Sequence, residues 1–278
     1  MISIPQRTII RSVTCSGIGI HTGSPATVVC RPAPVGTGIV FVRTDQRAEP
    51  EVKAALEMVS GTQRGITLAG RAPVRTVEHL LAAAAGVGVS NLRVEVRGEE
   101  LPILDGSAAP YVEALTSAGI IEQEGRRPVR TLHSPLWVSQ DAAWILAVPA
   151  DHLRITYIVP LPATNLGTQV VDFEADARRF AEEIAPSRTW GFAPELEALQ
   201  QAGLARGASP VNALGIGAEG YLSPPRFPDE PARHKVLDLL GDLMLAETAL
   251  RAHIIACGAG HALHVELTRR IVEIARLH

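Results

Sequence analysis

His234, Asp238 and Asp242 follow one another at four-residue intervals in the segment RHKVLDLLGDL. In an α-helix residues at this spacing stack along one face, so the segment predicts a stripe of one imidazole and two carboxylates. A His and an Asp at i and i+4 can share one metal ion. Lys235, beside His234, is one of only two lysines among 26 Lys plus Arg, which indicates a role for a compact ammonium rather than a guanidinium fork.

The segment TVEHLL places Glu78 and His79 at the start of a helix that is otherwise Leu and Ala. Charged groups in so apolar a helix are costly to bury unless they are paired or bind metal. Taken alone, either residue could cap the helix or make an ordinary polar contact. Together with His234 and Asp238, His79 completes two His and one carboxylate, which suits a catalytic zinc with an open water position. Glu78 could then act on that water as general base.

Two further segments carry groups suited to acid catalysis and to oxyanion binding. In CGAGHALH, His261 follows two small residues, and Asp242 could hold its imidazole protonated as a general acid; an ordinary core or surface histidine is the alternative. In APSRTWGF, the Thr189 hydroxyl could donate to a developing oxyanion beside the aromatic residues Trp190 and Phe192. Ordinary loop packing is the alternative there.

Composition restricts the class of protein. The chain has 278 residues, is 46% apolar and carries a net charge of -3, so it predicts a globular protein without a basic footprint for nucleic acid. No segment approaches the ~20 apolar residues of a membrane span, and the N-terminus lacks the apolar region of a signal peptide. Cys15, Cys30 and Cys257 are few and odd in number, which favours a reducing compartment. We therefore expect a cytoplasmic protein.

The length predicts two domains, and the charged segment 121–130 indicates a boundary between 1–124 and 125–278. Short β-rich runs between Gly and Pro turns fill residues 8–43, and NLRVEVRG alternates as a strand does. The two halves share one plan, with strands first and two helices later, which predicts a duplicated α+β unit. The predicted helices run from Thr76, as hydroxyl cap, to Gly86 or Gly88, over 110–117, near 173–184, over 194–202 and from Pro231.

Several motifs, in this order, resemble the zinc-dependent UDP-3-O-acyl-N-acetylglucosamine deacetylases of lipid A biosynthesis: TVEHLLAA, LPILDGSAAPYVEAL, SRTWGF, RHKVLDLLGDL and AGHAL. The similarity runs from QRTII near the start to AGHAL near the end. It implies an α+β fold of two domains, each a β-α-α-β sandwich, with the helices packed between two sheets and the active site at the domain interface. The implied reaction removes the N-acetyl group of a UDP-linked, 3-O-acylated glucosamine, which releases acetate and the free amine.

The resemblance also implies a role for each site residue. Zn²⁺ would be the cofactor, with Glu78 as general base and His261 as the proton donor to the departing amine. The implied metal ligands are His79, His234 and Asp238. Asp242 would support His261, Thr189 would stabilise the oxyanion, and Lys235 would contact the nucleotide sugar near its phosphates. The residues expected to face the substrate or line a passage for its acyl chain are Ile20, His21, Trp190, Phe192, Leu196, Ala205, Ser209 and Ala213.

A few positions depart from the family pattern. Trp190 stands where Phe is usual, Ala208 replaces a Gly, Val211 replaces a frequent Asp, and His264 replaces a common Asn; none belongs to the metal set. Two alternatives remain open. A zinc amidohydrolase for another acetylated sugar would have a short or polar passage at 192–213, and a silent relative would only bind a nucleotide sugar or a protein. We expect a monomer.

Overall fold

A computed structural model describes residues 2–274 and contains an α+β fold. Its main helices are α1 (Glu78–Val87), α2 (Ala109–Ser117), α3 (Ala177–Arg179, extended by a π-helical turn over Phe180–Ile184), α4 (Leu196–Gln201), α5 (Glu230–Leu243) and α6 (His261–Ile274). Single 3-10 turns cover Leu56–Met58, Ala193–Glu195 and Met244–Ala246. None of the described helices is long and apolar enough to cross a membrane.

Two large sheets frame the molecule. The first has five strands in the order β2 (Val13–Ile18), β3 (Pro25–Pro32), β9 (Leu92–Arg97), β4 (Ile39–Arg43) and β5 (Glu51–Lys53). The second has seven strands: β1 (Ser3–Ile9), β10 (Ile120–Thr131), β18 (Ala249–Cys257), β12 (Ala143–Val148) and β11 (Leu136–Gln140) in that order, with β13 (Leu153–Leu161) on β18 and β14 (Gly167–Glu174) on β13. In both sheets apolar and polar residues alternate, so one face of each sheet is buried.

Two small sheets lie beside these. One contains β6 (Val59–Gly61), β7 (Thr67–Leu68) and β8 (Val74–Arg75), and it leads directly into α1. The other contains β15 (Trp190–Phe192), β16 (Leu214–Gly217) and β17 (Gly220–Tyr221). The loops of both small sheets supply residues of the site described below.

The helices pack between the two large sheets, as the family resemblance implied. Helix α2 contacts β2 of the five-stranded sheet, α5 contacts β13 and β14, and α6 contacts β11 and β12. Helix α1 packs on both α2 and α5, so the two helical layers meet at α1 and α5. The buried apolar side chains form one continuous core. A Cβ at Gly241 of α5 would overlap the Glu78 carbonyl oxygen, so glycine there permits the close approach of α1 and α5.

Two local predictions are corrected by the structure. The Thr76 hydroxyl does not cap α1: Thr76 lies at φ 55°, and its hydroxyl donates to Glu100 Oε1 at 3.0 Å. The helix predicted near 173–184 begins only at Ala177, because burial alternates with period two up to the end of β14 and keeps those residues in the sheet. The end of α1 at Gly88, with φ 75°, is confirmed. The boundary at 124/125 stays a prediction, and strand β10 spans it.

Candidate active site

Helix α5 carries the predicted polar stripe, and all three of its members are buried. The Nδ1–H of His234 donates to the Ser187 carbonyl oxygen at 3.1 Å, which leaves the Nε2 lone pair free. That Nε2 lies 3.3 Å from Asp238 Oδ1, as the i, i+4 spacing predicted. Burial lowers the pKa of His234, so its imidazole is held neutral, in the form that can ligate a metal.

His79 approaches this pair from the first turn of α1. Its ring centroid lies 5.1 Å from that of His234, and ligand atoms of His79, His234 and Asp238 all lie within 4.8 Å of one another. Its buried Nδ1 has no hydrogen-bond partner among the described residues, and burial lowers the pKa of His79 to about 3. An orphaned neutral imidazole nitrogen beside a second imidazole and a carboxylate fits a divalent metal ion.

Asp238 is held as a carboxylate by the basic side chains around it. Burial alone would raise its pKa, but His234 and Lys235 lower the pKa of Asp238 well below the usual range. The Lys235 ammonium donates to Asp238 Oδ2 at 2.8 Å and lies 6.0 Å from the centre of the Trp190 ring. Asp238 therefore keeps its negative charge for a cation, and Lys235 is positioned at the edge of the site.

Glu78 is the candidate base, and it is 2% exposed. Its Oε2 accepts a hydrogen bond from the backbone N–H of Ile66, the residue before β7, at 3.0 Å. Burial raises the pKa of Glu78 to about 7. A carboxyl with a pKa near neutrality is well matched to removing a proton from water at neutral pH. Glu78 directly precedes His79, one of the candidate metal ligands, in the first turn of α1.

His261 is the first residue of α6. Its Nδ1 lies 2.7 Å from Asp242 Oδ2, and its Nε2 lies 3.8 Å from Asp238 Oδ2. Although burial opposes the charged form, Asp242 and Asp238 raise the pKa of His261 to about 9. The side chain is therefore held as a proton donor at neutral pH, and its Nε2 faces the metal-ligand set.

Thr189 lies in the loop before β15, and a buried ion pair fixes that loop. Glu230, the first residue of α5, accepts from the backbone N–H and from Nε of Arg188, each at 2.9 Å. The backbone N–H of Thr189 donates to the Gly106 carbonyl at 2.7 Å, and its carbonyl accepts from Leu214 at 2.8 Å. With its backbone bound on both sides, Thr189 presents its side chain to the cavity described next.

A mostly apolar cavity of about 280 Å³ opens beside Glu78 and His79. All the residues expected to face the substrate or acyl chain line it, namely Ile20, His21, Trp190, Phe192, Leu196, Ala205, Ser209 and Ala213. Trp190, which stands where the family usually has Phe, is fixed by its indole N–H, which donates to the Pro231 carbonyl at 3.2 Å. Ala208 also lines the cavity, whereas Val211 is 75% exposed and lies outside it. Lys235 is not part of the lining.

Sequence reasoning missed several residues that build this site. Glu100 is 1% exposed and accepts from the backbone N–H groups of His21 and Thr22 at 2.9 and 2.8 Å, as well as from Thr76. It thereby joins the loop after β2 to the turn before α1. The pair of Arg188 and Glu230 was missed too. Neither carboxylate belongs to a recognisable spacing, so only the fold reveals their burial.

Comparisons with known proteins show the family of this chain. The family model for UDP-3-O-acyl N-acetylglycosamine deacetylase matches residues 6–273. The chain is 42% identical over 275 residues to the UDP-3-O-acyl-N-acetylglucosamine deacetylase of Thermosynechococcus vestitus, covering 98% of this chain and 96% of that protein. It is 40% identical to the enzyme of that name from Chlamydia caviae, covering 99% of both, and 42% identical to that from Myxococcus xanthus, covering 97% and 87%. The chain therefore belongs to the UDP-3-O-acyl-N-acetylglucosamine deacetylase family.

Proposed function

We propose that this protein is a zinc-dependent hydrolase that removes the acetyl group from the 2-acetamide of a UDP-3-O-acyl-N-acetylglucosamine. The products are acetate and the free amine, in the committed step of lipid A biosynthesis. One observation carries the proposal: ligand atoms of His79, His234 and Asp238 lie within 4.8 Å of one another, with the buried Glu78 next to His79 in α1 and His261 Nε2 3.8 Å from Asp238 Oδ2. The candidate acid, base and metal ligands are therefore neighbours in the structure.

His79, His234 and Asp238 are the three residues that would hold the metal. Three protein ligands leave a fourth position open, as in catalytic rather than structural zinc sites. When bound, zinc supplies Lewis acidity, which polarises the acetamide carbonyl and lowers the pKa of bound water toward ~7. The hydrogen bond from His234 to the Ser187 carbonyl fixes the tautomer in which Nε2 is available as ligand.

The remaining groups divide the proton transfers between them. Glu78 accepts the proton of the attacking water at a carboxylate oxygen, and the Ile66 N–H on its Oε2 orients that carboxylate. The Thr189 hydroxyl donates to the carbonyl oxygen as negative charge develops on it. His261 then donates its Nε2 proton to the departing nitrogen, because an amine leaves far more readily than an amide anion. Asp242 stabilises the imidazolium before that transfer.

The cavity accounts for an acylated substrate. Its lining is predominantly apolar and it begins beside Glu78 and His79, so a fatty chain on the neighbouring hydroxyl of the sugar can be buried while the acetamide reaches the base. Each buried methylene contributes ~0.8 kcal/mol, which gives the chain length a measurable effect on KM. We propose that Lys235 contacts the nucleotide sugar near its phosphates. Its pairing with Asp238 in this structure would then be rearranged on substrate binding.

The cellular setting is also a proposal. Cys15, Cys30 and Cys257 are all free thiols, which agrees with a reducing compartment and hence with the cytoplasm. A monomer is proposed, since acid, base, ligand set and cavity are all assembled from a single chain.

Acetate release by single-site variants tests the proposed roles. We expect His79→Ala to lose bound zinc and activity together, and Glu78→Gln to keep stoichiometric zinc while losing most of its turnover. His261→Ala should also keep zinc. A Glu78→Gln protein with full turnover would contradict the base assignment, and a His79→Ala protein with full zinc content would contradict the ligand set. Wild-type protein that binds zinc but releases no acetate would favour another acetylated sugar or a silent relative.

A further inference from the structure

His264 is a buried polar residue next to the proposed acid that the mechanism above does not use. It lies one helical turn after His261 in α6, at 0% exposure, where the family resemblance places a common Asn. Its Nδ1 lies 2.8 Å from Asp242 Oδ2 and its Nε2 lies 2.8 Å from the Tyr157 hydroxyl. A fully buried imidazole with both nitrogens engaged has a fixed ring orientation.

Both imidazoles converge on one oxygen of Asp242. A carboxylate can only accept hydrogen bonds, so the Nδ1–H groups of His261 and His264 both donate to Oδ2, at 2.7 and 2.8 Å. The other oxygen, Oδ1, has no partner among residues 2–274. The orientation of the Asp242 side chain therefore depends on these two donors. Without His264, only the hydrogen bond from His261 would hold the Asp242 carboxylate, although His261 is the residue that Asp242 has to position.

Tyr157 fixes the far side of His264. The tyrosine lies in β13 at 0% exposure, and its hydroxyl lies 2.8 Å from the carbonyl oxygen of Ala259 as well, two residues before His261. The His264 carbonyl accepts from the Thr268 hydroxyl at 2.7 Å. His264 thus connects α5, β13 and the first turn of α6, which are the three elements around the acid.

We propose that His264 is a positioning residue that, held by Tyr157, fixes the Asp242 carboxylate and through it the His261 ring. The ring is thereby kept with Nδ1 on Asp242 and Nε2 facing the metal-ligand set. This inference rests on the proposed role of His261 as proton donor. His264 itself does not touch the substrate, so its loss acts on the proton transfer through Asp242 and not on substrate binding.

Two substitutions at one position separate positioning from filling of space. Leu has a similar volume but no donor, whereas the side-chain N–H of Asn branches from the same carbon as Nδ1 of His. We expect His264→Leu to lower kcat about 10–100-fold, the usual effect of removing a partner behind a functional residue, with KM and zinc content nearly unchanged. His264→Asn should recover most of this loss. Equal kcat for the Leu and Asn variants, or a wild-type kcat for the Leu variant, would overturn the inference.

A spectroscopic readout keeps the test independent of activity. In zinc-loaded protein labelled with ¹⁵N at histidine, we expect two imidazole N–H protons shifted strongly downfield by their bonds to Asp242. His264→Leu should remove one of them and shift or broaden the other, which belongs to His261. Unchanged His261 signals would contradict the inference. Tyr157→Phe, which removes only a hydroxyl, serves as the second variant if the Leu protein does not fold, and it should lower kcat with KM nearly unchanged; a wild-type kcat would count against the proposal.

Failure of the proposed function gives a different result. If wild-type protein released no acetate, while the two N–H signals were present and one disappeared in His264→Leu, the reaction assignment would fail and the contact to Asp242 would stand. If wild-type protein were active and neither kcat nor the signals of His261 changed in the variants, only the positioning role would fail.

Discussion

Gly241 is the position where a single methyl group should disturb the site without touching any of its side chains. It lies in α5, one residue before Asp242, and faces the first turn of α1. A Cβ there would overlap the Glu78 carbonyl oxygen and lie 3.0 Å from the carbonyl carbon. Because these are backbone atoms, the side chains cannot relieve the overlap. Gly241→Ala must instead move α1 and α5 apart, by roughly 1 Å to reach ordinary contact distances.

Two effects of the substitution oppose each other. Alanine favours a helix over glycine by ~1 kcal/mol, and overpacking typically costs ~1–3 kcal/mol. We expect the overlap to outweigh the gain in helix propensity, because the overlap is with backbone atoms. The free energy of unfolding should therefore fall by ~1–2 kcal/mol. The same movement separates His79 and Glu78 on α1 from His234 on α5. A displacement of ~1 Å can cost ~100-fold in rate, so kcat/KM should fall by one to two orders of magnitude.

Urea unfolding of the metal-free protein and acetate release by the zinc-loaded protein measure these two effects. Gly191→Ala is the control for stability, since a Cβ there meets no atom within 4 Å; its free energy of unfolding should stay within ~0.5 kcal/mol of wild type or rise. If Gly241→Ala were as stable as this control and fully active, the argument that the contact of α1 with α5 sets the metal-ligand geometry would be refuted.

Three further changes have expected outcomes. Thr189→Val should retain zinc and lose about 100–1000-fold in kcat, as for the loss of one oxyanion donor; a kcat above a third of the wild-type value would contradict that role. Glu230→Gln removes the charge from the buried pair with Arg188 and should lower the free energy of unfolding by ~3 kcal/mol in urea titrations, whereas a change below ~0.5 kcal/mol, typical of a surface site, would show that the pair does not stabilise the fold. The profile of kcat/KM against pH should be bell-shaped: Glu78 acts ionised, so activity rises as pH passes its pKa of about 7, and His261 acts protonated, so activity falls as pH passes its pKa of about 9. Variants that keep Glu78 should keep the rise in activity on the acidic side of the profile. A rate that still rises above pH 9 would contradict the role of His261.

The polar stripe of α5 could be predicted from the sequence because its spacing is local. His234, Asp238 and Asp242 share a helical face by their i, i+4 spacing alone, and the structure places them there. Bringing His79 to them required more, since α1 and α5 are far apart along the chain. That step came from chemical complementarity and from the family resemblance, and the distances now agree with it. Periodicity also predicted β9, and glycine as a helix terminator predicted the end of α1 at Gly86 or Gly88.

The parts that escaped prediction depend on long-range burial. Thr76 has the residue type of a helix cap, yet tertiary contacts with Glu100 place it in a left-handed turn instead. The sequence predicted a helix from near residue 173, and so included residues 173 and 174. The pairing of β14 with β13 keeps them extended. The Tyr157 contact with His264 joins a strand to a helix more than a hundred residues away, and no local sequence pattern predicts this contact.

The most direct test of the central claim is acetate release by metal-stripped protein, measured with and without stoichiometric zinc, on UDP-3-O-acyl-N-acetylglucosamine and on the same nucleotide sugar without its acyl chain. We predict no turnover without zinc, restoration when zinc is added, and a much higher kcat/KM for the acylated sugar, because the apolar cavity begins at the base. Zinc-bound protein that releases no acetate, or that hydrolyses both sugars equally well, would contradict the account.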